Sequence, residues 1–181
     1  MSVLRPKISA REFDNKNTYI RRLLLAAGLV IVALLQNTNG LLPSFLGIRA
    51  MPLVPAVVCI AMFEREMTGM FFGLFAGLLW DSAASTHGHL HAVLLTVIAF
   101  ACSALITHLF RNNFITATLF TGGALLIYNI ICIIRDLVIG SHMDAAYTIL
   151  TFYIPSGAYS LLFVAAFYFL VRAAEKKFPD R

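Results

Sequence analysis

Asp81, His87, His89 and His91 are the residues best suited by type to do chemistry. A carboxylate and three imidazoles lie close together in the chain, the kind of cluster that could hold a metal or move a proton. Their spacing argues against a metal. The histidines follow i, i+2, i+4 with Gly88 among them, which does not gather three ligands on one helix face. The expected role is to cap a helix or meet water at a helix–loop boundary, with no metal and no cofactor. Arg135 and Asp136 fall on the same predicted side as Asp81. An Arg135–Asp81 pair would lower the cost of a carboxylate near lipid; alternatively, both groups simply reach the headgroup region. Asn129, one to two turns deeper, offers a hydrogen bond between helices, worth only about 0.6–2 kcal/mol in membranes. His108 is placed at the interface. The chain contains no H-E-x-x-H, G-x-S-x-G or P-loop. Asp81 is the only acidic residue within a predicted span, so no catalytic residues and no enzyme activity are expected, and no chain of titratable groups crosses the bilayer for ion pumping.

The element that must position Asp81 is itself unusual. Gly69, Gly73, Gly77 and Asp81 recur every four residues within MTGMFFGLFAGLLWDSAAS. Four residues turn an α-helix by about 400°, so the set forms one stripe drifting about 40° per step. Three glycines make a shallow groove that admits another helix backbone at close range, and in lipid helices associate through such contacts. Two occupants fit the groove: a helix of the same bundle or a helix of a partner. Phe72 and Leu78 are expected to face lipid.

The whole chain has the composition of a membrane protein. Of 181 residues, 60% are hydrophobic and 13% charged, with a mean hydropathy of +0.83, whereas soluble domains carry about 25% charged residues. A net charge of +5 could invite nucleic acid, but the basic residues flank apolar runs instead of forming one patch. They are expected to set orientation. Cys59, Cys102 and Cys132 lie within apolar runs without paired spacing and read as small buried hydrophobes.

Spans of about 20 apolar residues cross a hydrocarbon core, and six are predicted: 19–36, 51–63, 67–84, 90–110, 114–134 and 146–171. The second is short and contains Pro52 and Pro55; it either starts earlier, near Phe45, with a kink, or enters only part of the membrane. Pro155 breaks the sixth, removing the bond to the Thr151 carbonyl, with Ser156 and Ser160 as local partners for freed backbone. A basic tail over 1–18 precedes the membrane domain, 19–172, and a second tail follows over 173–181. The first span is read as uncleaved, since no small-x-small site follows it. Six spans place both termini on one side. Twelve of the fourteen basic residues then lie inside, leaving only Arg49 and Arg135 outside, which makes both termini cytoplasmic under the positive-inside rule.

The segment GMFFGLFAGLLWDSAASTHGHLHAVLLTVIAF resembles the core of the bacterial rod shape-determining protein MreD family. Gly73, Gly77, Leu78, Leu79, Asp81 and Gly88 fall on its glycine-rich helix, its G-L-L-x-D and the short loop that follows. The proline-led run 52–63, and Ile154-Pro155 followed by Tyr159 and Arg172, resemble the family too. The His87–His91 cluster and the longer basic tail depart from it. The resemblance implies an all-α integral membrane protein of the bacterial cytoplasmic membrane, a six-transmembrane-helix bundle similar to the substrate-binding subunits of energy-coupling-factor transporters. It implies a non-catalytic scaffold of the cell-elongation complex, working with MreC, MreB filaments, the RodA glycosyltransferase and a class-B penicillin-binding transpeptidase. The similarity of bundles supplies an alternative, a vitamin-binding transporter subunit. Ala26, Ala27 and Ala33 lack the A-x-x-x-A spacing with which those subunits often dock, and Trp80 is the only tryptophan available to hold a vitamin.

This topology places the loop after the third span outside. Ser85→Cys, in a background without the native cysteines, is expected to react with an impermeant thiol reagent in intact cells. Labelling only after the membrane is broken would overturn the six-span arrangement.

Overall fold

The chain was analysed as a computed structural model. It describes residues 5–38, 51–83, 90–110, 112–139 and 154–177, with side chains described except over 5–16 and 135–139 and at 154. Among the described residues the chain is all-helical: α1 (Arg5–Asn37), α2 (Leu53–Phe63), α3 (Glu66–Ala83), α4 (Leu90–His108), α5 (Phe114–Ile139) and α6 (Ile154–Lys177).

The shortest helix is the centre. α2 has 11 residues, and Leu53 through Met62 are all buried. A helix that is hydrophobic all round belongs in a core, and α2 touches each of the other five helices. Its prolines do not break it. Pro52 precedes the first turn and Pro55 lies within it, where an N–H has no intrahelical acceptor to lose. At about 1.5 Å per residue the described helix is about 16 Å long, half a hydrocarbon core of about 30 Å. The expected start near Phe45 lies outside the described residues.

Four helices are long and apolar enough to cross a membrane: α1 over Asn17–Asn37, α4, α5 over Phe114–Ile134 and α6 over Pro155–Lys177. The predicted count of six is therefore met by four such helices among the described residues, with α2 too short. α3 has the length, at 18 residues, but its glycines, Glu66 and Asp81 leave it less apolar. α1 runs unbroken from Arg5, so the basic segment predicted as a tail is helical from that residue on. Outward-facing Leu23, Ile31, Val93, Val97, Ile115, Leu119, Leu126 and Leu162 are exposed, the surface a lipid-facing bundle presents. Cys59, Cys102 and Cys132 are buried and outside any disulfide. Pro155 stands in the first turn of α6 as described; the segment before it, including the Thr151 carbonyl on which the predicted Pro155 kink depends, lies outside the described residues.

α1 is tied to the bundle by charge. Arg21 Nη2 donates to Glu64 Oε1 at 2.7 Å, with the two side chains only 4% and 1% exposed. Arg22 Nε stands 3.5 Å from Glu64 Oε2. Glu64 follows α2 directly, so the pair clamps α1 to the α2–α3 turn. Breaking a buried pair from one side leaves an uncompensated charge, a loss of about 3–5 kcal/mol. Glu64→Ala is expected to lower the unfolding stability of the detergent-purified protein by that amount, followed by Trp80 fluorescence. Arg65→Ala, at an exposed neighbour, should change it by no more than about 0.5 kcal/mol. Equal stability of the two variants would remove the clamp.

Candidate functional site

The glycine stripe lies against α4 of the same chain, and α3 with α4 forms the most extensive helix pair in the protein. A Cβ on Gly73 would stand 2.5 Å from the Leu95 carbonyl oxygen and 2.6 Å from Ala99 Cβ. One on Gly77 would overlap Ala92 Cα and approach the His91 carbonyl oxygen to 2.7 Å. At Gly69 it would come 3.3 Å from Ser103 Cβ and 3.4 Å from Ala61 Cα. The two upper glycines thus carry backbone-to-backbone contact, while Gly69 sits tightly between α4 and α2. Of the two expected occupants the bundle's own helix fills the groove, so it offers no open seat to a partner.

Close approach lets Asp81 do its work. From the last turn of α3 its Oδ2 accepts the Ala92 N–H at 2.9 Å. Ala92 lies in the first turn of α4, whose N–H groups have no intrahelical acceptors. The capping role expected at this boundary is therefore real, and it is played across helices. The second oxygen, Oδ1, is 2.6 Å from His91 Nδ1. With a carboxylate as acceptor, Nδ1 carries the hydrogen, a tautomer assigned from this partner. The Trp80 ring stacks on His91 with centroids 4.7 Å apart and on Tyr128 of α5 at 5.4 Å. A carboxylate–imidazole pair walled by two aromatic rings thus joins the ends of α3 and α4 to the middle of α5.

Other predicted residues are dispersed. His87 and His89 lie outside the described residues, and no group of three potential metal-binding side chains occurs among those described. The Arg135 side chain also lies outside them, so the expected Arg135–Asp81 pair is not described; among the described residues Asp81 bonds to His91 and to the Ala92 N–H. Asn129 faces α6, its Nδ2 3.7 Å from where a Cβ on Gly157 would stand. His108 is exposed, as an interfacial residue should be, and its Nε2 lies 2.9 Å from Glu66 Oε1. Leu78 is exposed as expected, but Phe72 is not: it is 8% exposed, and Phe71 is the outward ring at 63%. The α1 helix lies over the flank of α3 that carries Phe72, which the drift of a single stripe does not reveal.

Three features escaped the sequence. His91 reads in the sequence as one of a histidine cluster, and among the described residues it is the histidine that pairs with Asp81. Tyr128 had no signal beyond being an aromatic residue beside Asn129. Arg21 counts in the sequence only among the basic residues expected to set orientation, and Glu64 carries no signal of its own, yet both are buried.

Gly73→Leu tests the groove directly. The side chain cannot be accommodated without separating α3 from α4, and overpacking of this kind costs about 1–3 kcal/mol. The variant is expected to lower yield and thermal stability of the isolated protein, whereas Leu78→Ile should leave both unchanged. Wild-type stability with leucine at position 73 would mean that α3 and α4 do not meet on this face.

No protein-family model, curated protein or solved structure matches the chain, so the chemistry and geometry of its own residues carry the functional reading.

Proposed function

We propose that this protein is a non-catalytic scaffold subunit of the bacterial cell-elongation complex, supporting lateral peptidoglycan synthesis and cell shape from the cytoplasmic membrane. The observation that supports this most is the hairpin of α3 and α4. The segment that resembles the MreD family is the one whose glycines and carboxylate lock two helices into a single unit: Gly73 and Gly77 against Leu95, Ala99 and Ala92, and Asp81 on the α4 N-terminus. Its polar groups are spent on each other. Asp81 engages His91 and the helix end, Trp80 covers His91, and Tyr128 covers Trp80. Such a unit holds shape and presents surfaces; it does not present reactive groups to a substrate.

In this reading both termini are cytoplasmic, six segments make up the bundle, and MreC, RodA, a class-B penicillin-binding transpeptidase and MreB filaments are the partners. Since α4 fills the glycine groove, partners are received on the outward apolar faces, where Leu119, Leu126 and Leu162 are exposed.

Affinity purification of the tagged protein from its native membranes, with identification of what accompanies it, tests the assignment. Recovery of MreC and the wall synthases is the expected outcome. Recovery of an ATPase with its transmembrane coupling subunit would replace the scaffold with the vitamin-transporter alternative.

A further inference from the structure

Arg172, which closes the last apolar run of the sequence, is exposed on α6. Among the described residues no carboxylate stands within ion-pair distance of it, Glu175 of the next turn included. Its guanidinium instead lies over the Tyr168 ring, 5.9 Å from the centroid. Tyr168 precedes it by one turn, is buried and packs on Phe63, which places Arg172 at the Glu64 end of the bundle. A helical side chain covers the turn N-terminal to its own Cα, and in α6 that is the apolar direction. Arg172 is thereby drawn back toward hydrocarbon instead of reaching out to headgroups and water. A cation held there is costly without an opposite charge, and the fold supplies only the face of a ring.

An exposed aromatic patch surrounds it. Phe114 of α5 and Phe169 of α6 stack with centroids 6.0 Å apart, both rings open to the outside, and each meets Tyr168 edge to face. Aromatic side chains and arginine are the residues that protein-binding patches concentrate. From this point the two helices carry exposed aliphatic stripes away along the bundle, with Leu119 and Leu126 on α5 and Leu162 on α6. A Cβ on Gly122, between the two leucines of α5, would meet nothing within 4 Å, so a helix laid on this face can come close to the α5 backbone. A lipid phosphate lies in the headgroup layer, the direction from which Arg172 is turned away. A carboxylate on a neighbouring helix lies where the guanidinium leans. We infer that the outward face of α5 and α6 receives one transmembrane helix of a partner protein, with an Asp or Glu of that helix paired to Arg172 where its apolar run ends. The inference rests on the reading of this protein as a scaffold that assembles through helix contacts.

Photo-crosslinking in native membranes tests this, with benzoylphenylalanine placed at Phe169 on this face or at Val97, exposed on α4. A protein adduct is expected at position 169 and not at position 97. The captured peptide, identified by mass spectrometry, should carry Asp or Glu at one end of an apolar run of about 20 residues. Arg172→Gln should reduce the adduct about fivefold, within the range of one polar contact between helices in a membrane. Arg172→Glu should recover it once the partner's carboxylate is changed to Arg. Lipid adducts alone, an adduct with a second copy of this chain, the same protein adduct at position 97, or a yield indifferent to Arg172→Gln would overturn the inference. An acid-bearing helix from a protein outside wall synthesis would keep it and remove the cell-elongation assignment instead. Should Arg172→Gln fail to accumulate, the peptide captured with Arg172 in place still decides, since a segment without a carboxylate overturns the pairing.

Discussion

The rest of the structure depends on satisfying the two ends of α2. A helix leaves N–H groups free at its start and carbonyls free at its finish, and within an apolar bundle no water meets them, so each unsatisfied group costs several kcal/mol. α2 is short and buried along its length, so its neighbours must provide. Gln36, from the end of α1, accepts the Leu53 N–H through Oε1 at 3.1 Å. Ser160 of α6 accepts the Met51 N–H at 2.9 Å while its own hydroxyl donates to the Ser156 carbonyl. At the other end Asn112 donates to the Met62 carbonyl at 3.1 Å, and Ser103 of α4 donates to the Glu64 carbonyl at 2.8 Å. Three helices and the lead-in to a fourth are thereby registered against one central rod.

The contact between α3 and α4 serves the same end. Gly69 is the glycine opposite Ser103, and the small space there lets the serine hydroxyl reach past α3 to the end of α2. Two turns away, Gly77 brings the first turn of α4 within reach of Asp81. The stripe therefore sets two hydrogen-bond systems at once, a cap on α4 at one end and a cap on α2 at the other. A side chain at either end would do more than fill space: it would withdraw a donor or acceptor from a backbone group that has no alternative partner in lipid.

The sequence made one part of this plain and hid another for identifiable reasons. Small residues at four-residue spacing announce a close helix contact, and Gly73 and Gly77 deliver one. The identity of the opposing helix was not legible, because Ala92, Leu95 and Ala99 on α4 look like many other small-and-large apolar patterns in the chain. Pro52 and Pro55 flagged α2 as irregular, yet its central burial follows from contacts with five helices that no local pattern encodes. The Asp81–His91 pair spans ten residues and a helix–loop boundary, and a carboxylate reaching the next helix's first turn is a matter of three-dimensional approach. Arg21 and Glu64 are separated by 43 residues. Orientation rules describe where such charges lie relative to a membrane, and say nothing about whether they are enclosed.

That enclosed pair also answers a problem of register. Among the described side chains of α1 the buried ones are Arg21, Leu25, Leu29, Val32 and Ala33, one continuous face with Arg21 at its first turn. An otherwise apolar stripe in lipid is weakly specified along its axis. Sliding α1 by one turn, about 5.4 Å, would exchange leucines for leucines against α2 and α3 at small cost. It would also carry the Arg21 guanidinium away from Glu64 and leave two unpaired buried charges, which is far more costly than any apolar mismatch. A buried ion pair is a weak source of net stability, since desolvation offsets much of the attraction. Its discrimination between registers is strong, because only the correct one pairs the charges. Once α1 is held in that register, Gln36 arrives beside Leu53 some four turns further along the same helix. The charge pair at one end of α2 thus fixes which α1 residue caps the other.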